Sequence, residues 1–334
     1  MKRILSIVVA LVATITVGAQ NIAVVSPSNK TKICQTLDEA ITGAEAGSII
    51  YMPGGGFPVT DNANIDKQLT IMGVSHRGDT DNVDGATVIS GNLNFVKGSS
   101  HSAIIGIYVS GNINIGTSAD SVVNFTARYC NVKSIQVKNS HSSGMVINQC
   151  YLRNASDFAY CNVTLTNSII HSVKQVNGGV IRNNVITSNT SVYVGDWDAN
   201  YKSFALGHVS SSTIAYNYIL DGKHTHRGDD CYASHNCIGT GSWADNPAVL
   251  PANTKWENVF VAHKGVTIAS DYHLNDTWAK SKDPDLSGIG IYGVSGNDFS
   301  DKALAPIPRI VSKKVDESSD GSGILEVTVT VKAQ

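Results

Sequence analysis

The middle of the chain repeats itself, and the length of that repeat restricts the fold more than any other feature. The segments MVINQCYL (145–152), VTLTNSII (163–170), VIRNNVI (180–186), TIAYNYIL (213–220) and YASHNCI (232–238) share one pattern. Each has an apolar or small residue, then polar ones, often with Asn at the centre, then an apolar pair. The alignment slips by one residue between copies. Asn184, Asn217 and Asn236 fall at matching places, 33 and 19 residues apart. Between the copies lie further strand-like pieces: NINI (112–115), SIQV (134–137), DFAY (157–160), VKQV (173–176) and SVYV (191–194). Each repeat therefore holds at least two short strands.

A period of about 17–23 residues built from short strands is that of a solenoid, because no single repeat can bury its apolar face alone. Stacked coils lie about 4.8 Å apart, so equivalent residues sit above one another. Asn at a bend tolerates left-handed backbone geometry, and its amide can bond to the next coil, which predicts an asparagine ladder. Cys130 and Cys150 lie one coil apart and read as small apolar fillers, with a disulfide as the alternative.

An open solenoid end exposes unpaired strand edges, so both ends need covering. Thr36-Leu37-Asp38-Glu39-Ala40-Ile41 starts a short amphipathic helix, with Thr36 as N-cap and Glu39 closing a capping box. Residues 48–52 form a strand, 53–56 a turn, and 69–73 begin the regular coils. At the other end the pattern fades after 256–260. Residues 313–322 read as a polar loop, and 324–331 alternate as a terminal strand through Leu325, Val327, Val329 and Val331. The expected organisation is a signal peptide over 1–19, a β-helix with N- and C-terminal caps over 20–312, and a polar loop and strand over 313–334.

The first residues predict export. Lys2 and Arg3 precede an apolar run from Ile4 to Val17, and Val17-Gly18-Ala19 supplies the small residues of a cleavage site near Ala19. The mature chain is expected in the periplasm, on the cell surface or outside the cell, with no membrane insertion after cleavage. The formal net charge of -2 gives no field that would attract nucleic acid.

The segments TLDEAI, AGSIIYMPGGGF and LTIMGV together resemble the opening of pectate-lyase-like, right-handed parallel β-helix proteins. DYHL (271–274), SGIGIYG (287–293) and PIPRI (306–310) resemble the closing segment of secreted bacterial members. The resemblance spans roughly 33–312. It implies an all-β, right-handed parallel β-helix solenoid with a short N-terminal capping helix and a C-terminal capping strand region. It also implies a polysaccharide partner along one side of the solenoid. Lyases of this group neutralise a uronate carboxylate with a cation, often calcium held by Asp, and use a basic side chain to take the proton. Hydrolases need paired carboxylates.

Two loops carry the densest chemistry. In His224-Thr225-His226-Arg227-Gly228-Asp229-Asp230-Cys231, the GDDC element resembles part of the polygalacturonase signature, which implies catalytic roles for Asp229 and Asp230. The Asn-Thr-Asp, Gly-His-Gly and Arg-Ile-Lys elements of that signature are absent. His224, His226 and Arg227 are candidate sugar contacts, and a solvated loop between coils is the simpler account. In the second loop, Trp197 and Tyr201 can stack on a sugar ring while Asp196 and Asp198 accept hydroxyl hydrogen bonds or bind calcium. A surface loop with Trp197 packed inward is the simpler account there. Lys133, Lys138, Lys174 and Arg182 are candidate lyase bases, or outward residues that keep the surface soluble. No CxxC or His/Cys spacing typical of zinc occurs, although His224 and His226 could bind a metal.

Three readings follow: a polysaccharide-binding protein without catalysis, a polysaccharide lyase or glycoside hydrolase, and a surface or adhesive stalk. An enzyme must gather two carboxylates, or a carboxylate and a base, on one groove. A stalk needs no groove.

Overall fold

The computed structural model describes residues 21–60, 63–77, 85–154, 156–187, 205–220, 226–227, 230–239, 255–262, 270–275, 288–293, 299, 309–315 and 327–332. The chain is all-β and solenoid-like, built from parallel strands stacked in three ladders. Face 1 runs from Ser48–Tyr51 through Leu69–Met72 and onward to Tyr232–Ser234. Face 2 begins at Gly55–Pro58 and ends at Cys237–Ile238. Face 3 begins at Ala63–Ile65 and ends at His226–Arg227. Each coil thus contributes three strands. Stacking starts at Ser48, one coil earlier than the sequence pattern indicated. The repeating segments are the face 1 and face 2 strands of successive coils, and NINI, SIQV, DFAY and VKQV all fall on face 3. SVYV lies outside the described residues.

The interior is a set of stacked columns. On face 1, Ile50, Ile71, Ile104, Ala127, Ile147, Leu165, Ile181, Ile214 and Ala233 follow one another in register. All nine are inaccessible to solvent. Each residue is shielded by the rungs on either side, so burial here is a property of the stack and not of the coil.

The turn from face 1 to face 2 carries the asparagine ladder. Asn217 donates to Asn236 Oδ1 from its backbone at 3.0 Å and its amide at 2.8 Å, and Ser168 N–H donates to Asn184 Oδ1 at 3.0 Å. Cys150 N–H continues the ladder to Ser168 Oγ at 3.0 Å. The left-handed residue is not the ladder Asn, as the sequence reading had it, but the one before. Tyr129, Gln149, Asn167, Asn183, Tyr216 and His235 have φ of 48–58°. They turn the chain so that Cys130, Cys150, Ser168, Asn184, Asn217 and Asn236 point inward. All six cysteines of the chain are buried free thiols, so Cys130 and Cys150 act as fillers.

At the N-terminal side, helix α1 (Leu37–Gly43) packs beside the antiparallel strands Ile22–Val25 and Thr31–Cys34. Thr36 Oγ1 accepts from Glu39 N–H at 3.1 Å as expected. Glu39 Oε2 reaches back to Gln35 N–H, one residue before the N-cap. Among the described residues no helix is long and apolar enough to cross a membrane.

Beyond the last coil the chain returns along face 2. The outward residues of that face, Tyr151, Ile169, Val185, Tyr218 and Cys237, form an apolar stripe and are at most 6% exposed. They are covered by Val259, Phe260, Tyr272, Ile289 and Ile291, giving a second core outside the coils. Phe260 makes edge contacts with Tyr218 and Tyr272, at 5.1 and 5.3 Å between ring centroids. The turn residues hold this strap: Asn183 Nδ2 donates to Gly288 O at 2.7 Å, and Gly290 N–H donates to Tyr216 O at 2.8 Å. Gly290 has φ of 80°, and a Cβ there would lie 2.5 Å from the Tyr218 ring, so only glycine fits.

Strands Arg309–Val315 and Val327–Lys332 form an antiparallel pair. Val327–Lys332 overlaps the terminal strand that the alternation predicts over 324–331. Lys313, Lys314 and Val315, which begin the segment read as a polar loop, belong to the first strand of this pair, because Lys313 pairs with Val329 and Val315 with Val327.

Candidate functional site

With face 2 covered by the strap, the polar ladder on the outside is on face 3. Strand register places Asn64, Asn94, Asn114, Gln136, Asp157, Lys174, Gly207 and His226 in one column, one residue per coil. Alternation explains the column: Ile65, Phe95, Ile115 and Val137 point inward next to it, so their neighbours must point out.

The first part of the column is an amide ladder. Asn94 Nδ2 donates to Asn64 Oδ1 at 3.0 Å, and Asn114 Nδ2 donates to Asn94 Oδ1 at 2.8 Å. A parallel network runs beside it, with Ser134 Oγ donating to Asn112 Oδ1 at 3.0 Å and Gln136 Nε2 to Ser134 Oγ at 3.2 Å. Each amide in such a ladder uses one N–H along the axis and keeps the other for a partner above the sheet. Asn64, Asn94 and Asn114, together with Thr117, Ser118 and Lys138, line an open recess of about 580 Å³.

The column then turns ionic. Asp157 and Lys174 pair in register one coil apart, both half-buried. A bulge holding the left-handed residues Ala159 and Tyr160 follows Asp157, where the ladder shifts register before Cys161, and the left-handed Gln175 follows Lys174. Such bulges re-aim the side chains beside them. Ala159 N–H donates to Asp157 Oδ1 at 3.0 Å, which fixes the carboxylate. Burial pushes the Asp157 carboxyl up, while the Ala159 N–H, Lys174 and Lys138 pull it down. Burial pushes the Lys174 amine down, and Asp157 raises it. Burial thus moves each group in the direction of its neutral form.

The sequence candidates are only partly placed. His226 and Arg227 form a face 3 strand, and the pairing of His226 with Gly207 puts His226 on the same column as Asp157 and Lys174. Asp230 is exposed, in the turn from face 3 to face 1, and accepts a short hydrogen bond from Ser211 Oγ that holds its carboxyl below the usual range. Asp196, Trp197, Asp198, Tyr201, His224 and Asp229 lie outside the described residues. Of the candidate bases, Lys174 is on the column and Lys138 on its rim, whereas Arg182 packs over the Tyr216 ring at 4.6 Å beside the strap. Among the described residues no group of three His, Cys, Asp or Glu side chains is arranged to hold a metal.

Sequence reasoning missed Asp157 and the amide ladder. A signal was present: NANI (62–65), GNLNF (91–95) and GNINI (111–115) repeat Asn-apolar-Asn, the last two 20 residues apart. No family model, curated protein or solved structure matches this chain.

Proposed function

We propose that this chain is an exported, right-handed parallel β-helix protein that binds an extended polysaccharide lengthwise along face 3. The observation that carries the reading is the outward column of Asn64, Asn94, Asn114 and Gln136, one amide per coil. A rise of about 4.8 Å per rung is close to the length of one sugar residue in an extended chain. A repeating polymer can therefore meet the same donor and acceptor at each step. Amides suit hydroxyl groups, since each offers both a donor and an acceptor. The signal at 1–19 supports export, and helix α1 and the strap fit the role of covers for the coils. The test is a glycan array with a turnover assay on acidic and neutral polysaccharides, with and without calcium. Binding that is lost on Asn94→Ala with Asn114→Ala supports the reading, and no binding to any glycan overturns it.

The pairing of Asp157 with Lys174 favours a second reading, a polysaccharide lyase with Lys174 as the base. A hydrolase fits less well, because among the described residues of the column Asp157 is the sole carboxylate. In this reading Asp230 caps a turn and takes no part in chemistry. Turnover that persists in Lys174→Ala removes Lys174 from that role.

A further inference from the structure

Lys174 stands out among the cations of face 3. It is half-buried on a strand, whereas Lys133 and Lys138 are exposed. Its nearest charged partner in the column is Asp157, one rung below, and no ion pair closes between them. The next rung carries Gly207, so no side chain of the column stands above it. The amide ladder leads up to this point from the other end. A half-buried amine with no closed ion pair to the carboxylate one rung away can act as a nucleophile, and that carboxyl can carry protons.

We propose that the Lys174 amine captures carbonyl compounds covalently, holding the aldehyde at the reducing end of a saccharide chain on face 3 as an imine. The saccharide identity of the carbonyl rests on the function proposed above. The nitrogen lone pair forms a C–N bond to the carbonyl carbon, and one N–H proton passes to the carbonyl oxygen, giving the carbinolamine. The carbinolamine then loses that oxygen as water, with the Asp157 carboxyl giving the proton to the departing hydroxyl and its carboxylate taking one from nitrogen. Amine and aldehyde give imine and water, and nothing is oxidised or reduced. The burial that lowers the Lys174 amine keeps more of it in the reactive free-base form, and the burial that raises Asp157 keeps more of it able to donate.

The experiment treats the full chain with glycolaldehyde and cyanoborohydride at pH 7 and maps labelled lysines by peptide mass spectrometry. Lys174 is expected to label at least fivefold faster than exposed Lys133, and Asp157→Asn to slow it severalfold without slowing Lys133. Equal labelling of Lys174 and Lys133 overturns the proposal. A second arm compares reducing oligosaccharides with the same sugars reduced to alditols. Alditol binding without any Lys174 adduct from the reducing sugars sinks covalent capture and leaves the binding function standing. Adducts with glycolaldehyde but no affinity for any oligosaccharide keep the reactive lysine and sink the binding function.

Discussion

Asn217 Oδ1 accepts two hydrogen bonds from Asn184, one from its backbone N–H at 2.9 Å and one from its amide at 3.0 Å. Asn217 in turn donates to Ile181 O at 2.8 Å, and both residues are inaccessible to solvent. A buried donor stripped of its partner costs about 1–3 kcal/mol. Asn217→Ala removes the acceptor of both Asn184 donors and the amide bond to Ile181 O. The expected loss is about 3 kcal/mol or more in urea unfolding, with Asn217→Ser milder. A loss below 1 kcal/mol contradicts the ladder as a source of stability.

The strap is held by aromatic packing, and Phe260 sits at its centre, stacked on Trp256 at 5.5 Å and edge-on to Tyr218 and Tyr272. Truncating a buried Phe costs about 3–5 kcal/mol. Because this core lies outside the coils, Phe260→Ala should release the strap before the solenoid unfolds. Hydrogen exchange is expected to quicken over 270–275 and 288–293 while 145–148 and 163–166 keep their protection. Uniform loss of protection would mean that strap and coils unfold as one unit.

His76 is buried where the 73–77 segment meets the strap, and its Nδ1 has no hydrogen-bond partner. Tyr151, Ser270, Tyr292, Phe299 and Arg77 surround it. Burial, helped by Arg77, pushes its pKa down to about 3 from 6.5. Between those values the unfolded chain binds a proton that the folded chain does not, so stability falls as pH drops from about 6.5 towards 3. The slope can reach about 1.4 kcal/mol per pH unit. Urea midpoints at pH 7, 5.5 and 4.5 check this, and His76→Gln should flatten the curve in that window. An unchanged curve in the variant would assign the acid sensitivity to other groups.

Asp157 should behave in the opposite sense. Its folded pKa is raised, so as pH rises the unfolded chain loses its proton first, and stability falls between the ordinary carboxylate value and the folded one. Above both values the penalty is constant. Asp157→Asn keeps the oxygen that accepts from Ala159 and removes the charge, so it should stabilise the protein at pH 7 by up to about 1 kcal/mol after solvent screening. A stabilised variant with weaker ligand binding would mark Asp157 as retained for its chemistry. A destabilised one would make it structural.

Much of the stack was legible in the sequence because burial repeats with the coil. Asn184, Asn217 and Asn236 sit where an interior ladder needs them, and the helix at Thr36 follows from its capping residues. The left-handed turn was assigned one residue late, since Tyr216 and His235 carry no propensity for that geometry and only the stacking of six such turns reveals it. The strap's segments at 271–274 and 287–293 stood out, but the face it covers was not legible. Its partners on face 2, Ile169 and Tyr218, read as ordinary members of an apolar pair, and nothing in the pattern tells which of the two points out. Asp157 was hidden for a related reason. Its partner Lys174 is 17 residues away, and the bulge at Ala159 and Tyr160 breaks the alternation that would have placed both on one face.

The amide column makes the sharpest test of the function. Asn94 and Asn114 point outward, bond along the ladder to Asn64 and to each other, and contribute little to the interior. Their replacement by Ala should therefore leave stability within about 1 kcal/mol of the parent. If a polysaccharide lies along face 3, each lost amide removes hydrogen bonds worth about 1 kcal/mol, so the double variant should bind about tenfold more weakly or worse. Ser211→Ala, which removes the partner of Asp230 at the opposite end of the stack, should not change affinity. The contrast matters because both changes delete polar groups outside the core. Weakening confined to the Asn94 and Asn114 variant ties the ligand to the column, whereas equal weakening in both would place the ligand elsewhere on the molecule.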